Sequence, residues 1–367
     1  MHNHSLIVLA FAALPTVVHA QAASRDTTIK VTFGGFVDSY YAYDFGRPAS
    51  FDRSFASGAT FTTQPARHNE FNINLAYVEA NLSGNRLRGR LSLQAGTSVQ
   101  SNYAGEPTHG SVSGPTLGRH IQEAFAGYQV TPHLWIDGGV FYSHIGVESW
   151  ASRDNPTYTR SLVADYSPYY SSGVRATWQA TPRLAARLDV INGWQNISET
   201  NSDKGAGIRL DFNATPTATV SYYNFINNEA GGRLRVFNGA GTKLTSGRTT
   251  FLGELDYGSL GAPSSGGGAS TWWGFTAVAR QQVSAKVAVS GRVEGFNDRD
   301  QVSINTGLTD PFRGSGVSGG IDVTPQSRFV WRLEARGFFA DAPIFPSGTA
   351  SPRKNGGFVV SSLALTF

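Results

Sequence analysis

Arginines and carboxylates recur at alternate positions through this chain, so that each set shares one side of an extended segment. Arg328 to Phe338 reads R-F-V-W-R-L-E-A-R-G-F, with Arg328, Arg332, Glu334 and Arg336 on one side and Phe329, Trp331, Leu333 and Ala335 on the other. The same arrangement holds Arg187 with Asp189, Arg209 with Asp211, and Arg292 with Glu294; Arg88, Arg90, Asp137 and Arg175 occupy equivalent positions. Charges lined up in this way can surround water and select ions by field and by replacing hydration. Nine arginines face five acids in the set, an excess that would favour small anions. The plainer alternative is a set of cross-strand ion pairs that brace a wall without selecting anything.

Other residues with chemical capacity give weaker signals. The stretch 146–171 carries Glu148, Arg153, Asp154, Arg160 and Asp165 among Trp150, Tyr158, Tyr166, Tyr169 and Tyr170. A connection this long and this aromatic is expected to be ordered, and folding inward it would narrow a pore; the alternative is an outward cap or an interfacial belt. Ser143 and His144 near Asp137 suggest hydrolysis, but neighbours on a strand point to opposite faces, and a nucleophile needs its base within hydrogen-bond reach. His68, His109, His120, His133 and His144 show no metal-binding spacing, and with no cysteine neither a thiolate site nor a disulfide can form. Gly314 to Gly319 fits G-x-G-x-x-G but leads into a strand-like segment rather than the helix a dinucleotide site requires. No cofactor is expected.

The elements that must position these residues are strands. Arg183 to Val190, Ala206 to Ala214, Lys286 to Gly295, Arg88 to Ala95 and Gly173 to Ala180 all alternate, and none shows helical spacing. Phe71 to Leu82 changes phase, which predicts a β-bulge near Ala76. Short reversals repeat as Thr131-Pro132-His133, Thr181-Pro182-Arg183, Thr215-Pro216-Thr217, Thr324-Pro325-Gln326 and Ser284-Ala285-Lys286. Long polar connections fall at 45–68, 101–119, 146–171, 260–270, 298–314 and 341–355. Tight turns at one end and long loops at the other predict an all-β, antiparallel up-and-down transmembrane barrel of about sixteen strands, within a range of about fourteen to eighteen. The weakest strand assignment is Arg233 to Gly241.

Composition agrees. Charged residues are only 15%, while 42 Gly, 14 Tyr, 23 Phe and 7 Trp suit a wall that meets lipid on one side and water on the other. The formal net charge of +4 is too mild to point to nucleic acid. An apolar run from Leu6 to Leu14, then Val18-His19-Ala20, predicts a secretory signal at residues 1–20 and one mature domain at 21–367. Trp272 and Trp273 are assigned to an interfacial girdle. Gly356 to Phe367 is strand-like with a terminal aromatic residue, and is expected to close the sheet against Lys30 to Tyr43.

Gly34-Gly35-Phe36-Val37-Asp38-Ser39-Tyr40-Tyr41, Ile145-Gly146-Val147-Glu148-Ser149, Thr159-Arg160-Ser161-Leu162 and Tyr166-Ser167-Pro168-Tyr169-Tyr170 resemble segments of the β-barrel porin-2 (OmpL-like) family of proteobacterial outer-membrane proteins. The resemblance covers essentially the whole mature chain. It implies an outer-membrane channel passing small hydrophilic solutes by passive diffusion, and names no solute and no functional residue. Implied partners are outer-membrane lipid and lipopolysaccharide, and the barrel-assembly machinery through the Phe367 strand, with a homotrimer as a further expectation. The rival readings are a barrel enzyme of lipase or protease type and a plugged structural or adhesive barrel.

Overall fold

The computed structural model describes residues 28–229 and 232–367; the predicted signal at 1–20 lies outside the described residues. Sixteen antiparallel strands form one closed sheet. In chain order they are β1 (Lys30–Asp44), β2 (Phe71–Gly84), β3 (Leu87–Ala95), β4 (Ile121–Thr131), β5 (Leu134–Tyr142), β6 (Tyr170–Gln179), β7 (Leu184–Ile191), β8 (Gly205–Thr215), β9 (Ala218–Glu229), β10 (Arg233–Ser246), β11 (Thr249–Leu260), β12 (Ser270–Gln282), β13 (Val287–Asp298), β14 (Phe312–Gln326), β15 (Phe329–Ala340) and β16 (Asn355–Thr366). Each pairs with its neighbours in sequence, and β1 pairs with β16 from Phe36↔Thr366 to Asp44↔Phe358. Closure leaves no strand edge unpaired, as a sheet surrounded by lipid requires. The terminal Phe367 extends the seam: its carbonyl accepts from Gly35 N at 3.0 Å, and its ring lies where a side chain on Gly35 would have to be.

Period-two alternation puts Leu188, Val293, Leu255 and Leu333 on the outer face. Aromatic residues rim it at both ends, with Tyr128, Trp178, Phe212 and Phe251 near the short turns, and Phe71, Tyr257, Trp273 and Phe339 near the long loops. The girdle takes only one of the two adjacent tryptophans. Trp273 faces out, whereas Trp272, one residue away on the opposite face, is buried inside the cylinder.

Three local expectations shift. The bulge expected near Ala76 in β2 falls two residues earlier, at Asn74, because Asp38 pairs with Leu75 and Ser39 with Ile73; Leu75 therefore turns inward and is fully buried. The last proline-marked reversal moves as well. Pro325, unable to donate to the ladder, sits in a register shift between Val323 and Gln326 inside β14, and the turn falls on Ser327 and Arg328. Arg328, expected on an inward-facing strand position, is thus an exposed turn residue. Finally, the connection 192–204 joins the long loops, and Arg233 to Gly241 belongs to the full-length β10.

The interior is layered. Towards the loop end it holds an apolar core in which Phe55, Phe61, Tyr158, Leu162, Val163 and Phe345 from the loops pack on inward Phe296, Phe312, Phe338 and Phe358. A simple apolar-out, polar-in rule therefore fails in that half, where loops replace water as the lining partner. Charged side chains dominate the inward face nearer the short turns.

Candidate functional site

The connection between β5 and β6 enters the cylinder. Gly146 takes a positive φ of 84° as the chain turns inward, a conformation open to glycine at little cost. Arginines carry the root of the loop: Arg175 and Arg187 donate to the Tyr142 carbonyl at 2.6 and 2.8 Å, and Arg209 donates to those of His144 and Gly146 at 2.9 and 2.7 Å. Further on, Trp150 Nε1 donates to Gln94 at 3.0 Å and Ser152 Oγ to Asp38 at 2.9 Å.

The loop then docks on the β13–β15 wall. Arg332 donates to the carbonyls of Ser152, Asn155 and Thr157 and pairs with Asp322 at 2.9 Å. Glu334 accepts from Thr159 N and Oγ1, both at 2.8 Å. Arg292 donates to the Thr159 carbonyl, Arg336 to that of Arg160, and Glu294 accepts from Leu162 N. Ser161 caps the short helix α1 (Leu162–Asp165) through Ala164 N. Arg292, Arg332 and Arg336 are 2–3% exposed, so these charges hold the loop and do not face solvent.

Within the loop, the acidic and basic side chains are spoken for in different ways. Glu148 Oε2 accepts from Ser161 N at 2.7 Å, and burial pushes its carboxyl above the ordinary glutamate range against the pull of Arg292. Arg160 pairs with Asp165 at 3.0 Å and stacks on Trp150 and Tyr169. Arg153 and Asp154 sit on a single 3-10 turn facing the short-turn end, where Arg153 donates to Thr366 at 2.6 Å.

The wall from β2 to β8 is different. Arg88 bonds Asp137 at 2.6 Å, Arg90 bonds Glu79 and Glu123, Arg175 and Arg187 share Asp189, and Arg209 bonds Asp211 at 2.9 Å. In most of these pairs the arginine is the exposed partner: Arg88 is 30% exposed against 3% for Asp137, and Arg187 is 16% exposed against 0% for Asp189. Arg209 and Asp211 reverse the order. All of these side chains except Glu79 and Asp189 border a cavity of about 470 Å³. Arg209 also lines a second cavity of about 220 Å³ with Tyr142, Glu148, Trp150 and Tyr169. Ser167 belongs both to that one and to a third of about 230 Å³, bordered by Thr60, Asp165, Trp194 and Gln195 among the loops. Shared lining residues thus string three cavities along one side of the cylinder, from the short-turn end to the loop end.

Several inward acids lay beyond the sequence reading: Asp38, Glu79, Glu123, Glu254, Asp256 and Asp322. Glu254 and Asp256 flank Leu255 in plain alternation and were readable; Glu79 and Glu123 follow register shifts that hide their phase. These acids more than offset the change among the arginines, which lose Arg328 and gain Arg235 and Arg280. The formal positive excess disappears. Ser143, His144 and Asp137 do not converge: Ser143 Oγ accepts from Ile145 N, His144 lies between Asp189 and the Asn224 carbonyl, and Asp137 is taken by Arg88. No trio of His, Asp or Glu among the described residues is placed to hold a metal ion. Gly314 to Gly319 lies wholly within β14.

The profile of the beta-barrel porin-2, OmpL-like family matches residues 30–367. No curated protein matches the chain. Among solved structures, the chain is similar to the outer membrane channel DcaP of Acinetobacter baumannii, with a TM-score of 0.61 at 11% identity over 93% of this chain and 98% of that one. An anion-selective porin from Comamonas acidovorans gives 0.59 at 10% identity, covering 93% and 100%. The trimer form of OmpT from Vibrio cholerae gives 0.56 at 9% identity, covering 92% and 99%.

Proposed function

The chain belongs to the β-barrel porin-2, OmpL-like family of outer-membrane porins, and we propose that small hydrophilic solutes cross it along the β2–β8 side of the lumen, with a weak preference for anions. The loop 143–169 sets the narrowest point on this reading, where Glu148, Trp150 and Tyr169 face Arg209. One observation carries the anion preference: on that side the guanidinium groups are more exposed to the cavity than most of the carboxylates they bond. A solute meets the nearer charge of each pair more strongly than the farther one, so a formally balanced wall still presents a positive surface. The residues assigned to the lining are Arg88, Arg90, Arg175, Arg187 and Arg209 with Asp137, Asp189 and Asp211; Arg292, Glu294, Arg332, Glu334 and Arg336 are assigned to holding the loop.

The same reading includes removal of residues 1–20, a single mature domain, recognition of the Phe367 strand by the barrel-assembly machinery, contact with lipopolysaccharide, and association of three barrels. It assigns no catalysis, since Ser143 lacks a base. Deleting residues 150–166 is expected to raise single-channel conductance several-fold, and a salt gradient across the wild type to give a reversal potential of anionic sign. Unchanged conductance in the deletion would overturn the constriction, and a cationic sign would overturn the preference. The packing of Ser152 to Ala164 favours one rival, a plugged barrel, which would show no single-channel events at all.

A further inference from the structure

Beneath the docked loop, on the side of the cylinder away from the three linked cavities, lies a separate recess of about 370 Å³. Its border includes Arg153 and Asp154 from the loop, Arg280 from β12, Asp322 and Thr324 from β14, Arg328 from the following turn, Arg332 from β15 and Thr366 at the end of β16. We propose that this recess binds a compact oxyanion, a phosphate or carboxylate group of a solute entering from the short-turn end.

Four arginines meet two carboxylates here, whereas on the β2–β8 wall five arginines meet five carboxylates. Asp322 is already bonded by both Arg280 and Arg332, so it offers no further neutralisation. Arg332 spends its donors on Asp322 and three loop carbonyls. The other three retain capacity. Arg280 uses Nε on Asp322 and Nη1 on Gln282, Arg153 uses Nη1 on Thr366, and the Arg328 side chain makes no hydrogen bond or ion pair among the described residues. Asp154, half-exposed and 3.5 Å from Arg153, is the one acid that competes. Planar guanidinium donors from three separate elements, beside the Thr324 and Thr366 hydroxyls, match the several acceptor oxygens of a phosphate or carboxylate. A bound anion would also tie the loop, through Arg153, to the β14–β15 turn.

The test is a phosphorus-31 NMR titration of the refolded full-length barrel in detergent with inorganic phosphate. Saturable line broadening is expected for the wild type. The Arg153→Gln/Arg328→Gln pair should weaken it by about tenfold, the scale of one lost charge-assisted hydrogen bond. Arg328→Gln alone changes only an exposed turn residue, keeps the fold, and should still weaken binding by roughly threefold. Arg313→Gln, exposed at the loop end of β14 and outside the recess, should leave binding unchanged. Absence of saturable broadening in the wild type, equal binding in the double variant, or an equal loss in Arg313→Gln would each overturn the proposal. None of these readouts requires the barrel to conduct, so a failure of the transport reading would be seen separately.

Discussion

Arg332 and Arg88 are both inward arginines on strands of the same barrel, each bonded to an aspartate, yet they occupy opposite circumstances. Arg332 lies under the docked loop and is 3% exposed as a side chain, while Arg88 borders a cavity and is 30% exposed. Alternation puts both inside the cylinder and says nothing more. What separates a brace from a lining residue is whether a loop lands on it. The β13–β15 wall is loop-covered and its Arg292, Arg332 and Arg336 are consumed; the β2–β8 wall supports the root of the loop and Trp150, and its guanidinium groups keep a free side.

The two walls should respond most differently to a change at Arg332. Replacing it by Gln removes two bonds to Asp322 and three to loop carbonyls at a buried position. Truncating one partner of a buried ion pair costs about 3–5 kcal/mol. The expected outcome is a lower unfolding midpoint in denaturant together with larger and noisier single-channel currents, as the segment around Ser152 to Thr157 comes free. Wild-type currents and midpoint would show that the loop does not depend on this wall.

A smaller and differently expressed effect is expected from Arg175→Gln with Arg187→Gln. These residues are 12% and 16% exposed, and both bond Asp189 and the Tyr142 carbonyl. Their loss lets water reach Asp189 and turns a positive surface negative. Permeability should shift towards cations by up to roughly fivefold, matching about 1 kcal/mol for partly exposed pairs. A reversal potential that does not move would mean that solutes do not pass this wall.

How much of this was legible beforehand follows from the same physics. Strand number, closure through Phe367 and the long-loop asymmetry depend on local alternation and turn residues, which each segment displays by itself. Bulges at Asn74 and in β4 shift the phase by one, so Leu75, Glu79 and Glu123 could not be assigned a side from spacing. The docking of Thr159 on Glu334 or of Leu162 on Glu294 joins residues more than a hundred positions apart. Nothing local in either partner marks such a contact. For the same reason, the anion preference cannot be obtained by counting arginines; it depends on which member of each pair stands nearer the cavity.

The finest test of the distinction is Arg88→Gln. A rule that buried pairs are costly to break would predict a large loss, because Asp137 is almost fully buried in the intact protein. Arg88 and Asp137, however, both border the cavity of about 470 Å³, and Arg88 covers most of the carboxylate, with its guanidinium over the Trp135 ring. Shortening it lets water reach the carboxylate that the guanidinium had covered, and hydration replaces most of the lost pairing. The expected destabilisation is therefore within about 1 kcal/mol, as for an exposed pair, and the reversal potential should move towards cations less than in the Arg175→Gln/Arg187→Gln variant. A loss as large as that of Arg332→Gln would show that the lower β2–β8 wall is as dry as the loop-covered one, and the two sides of the lumen would no longer differ in kind.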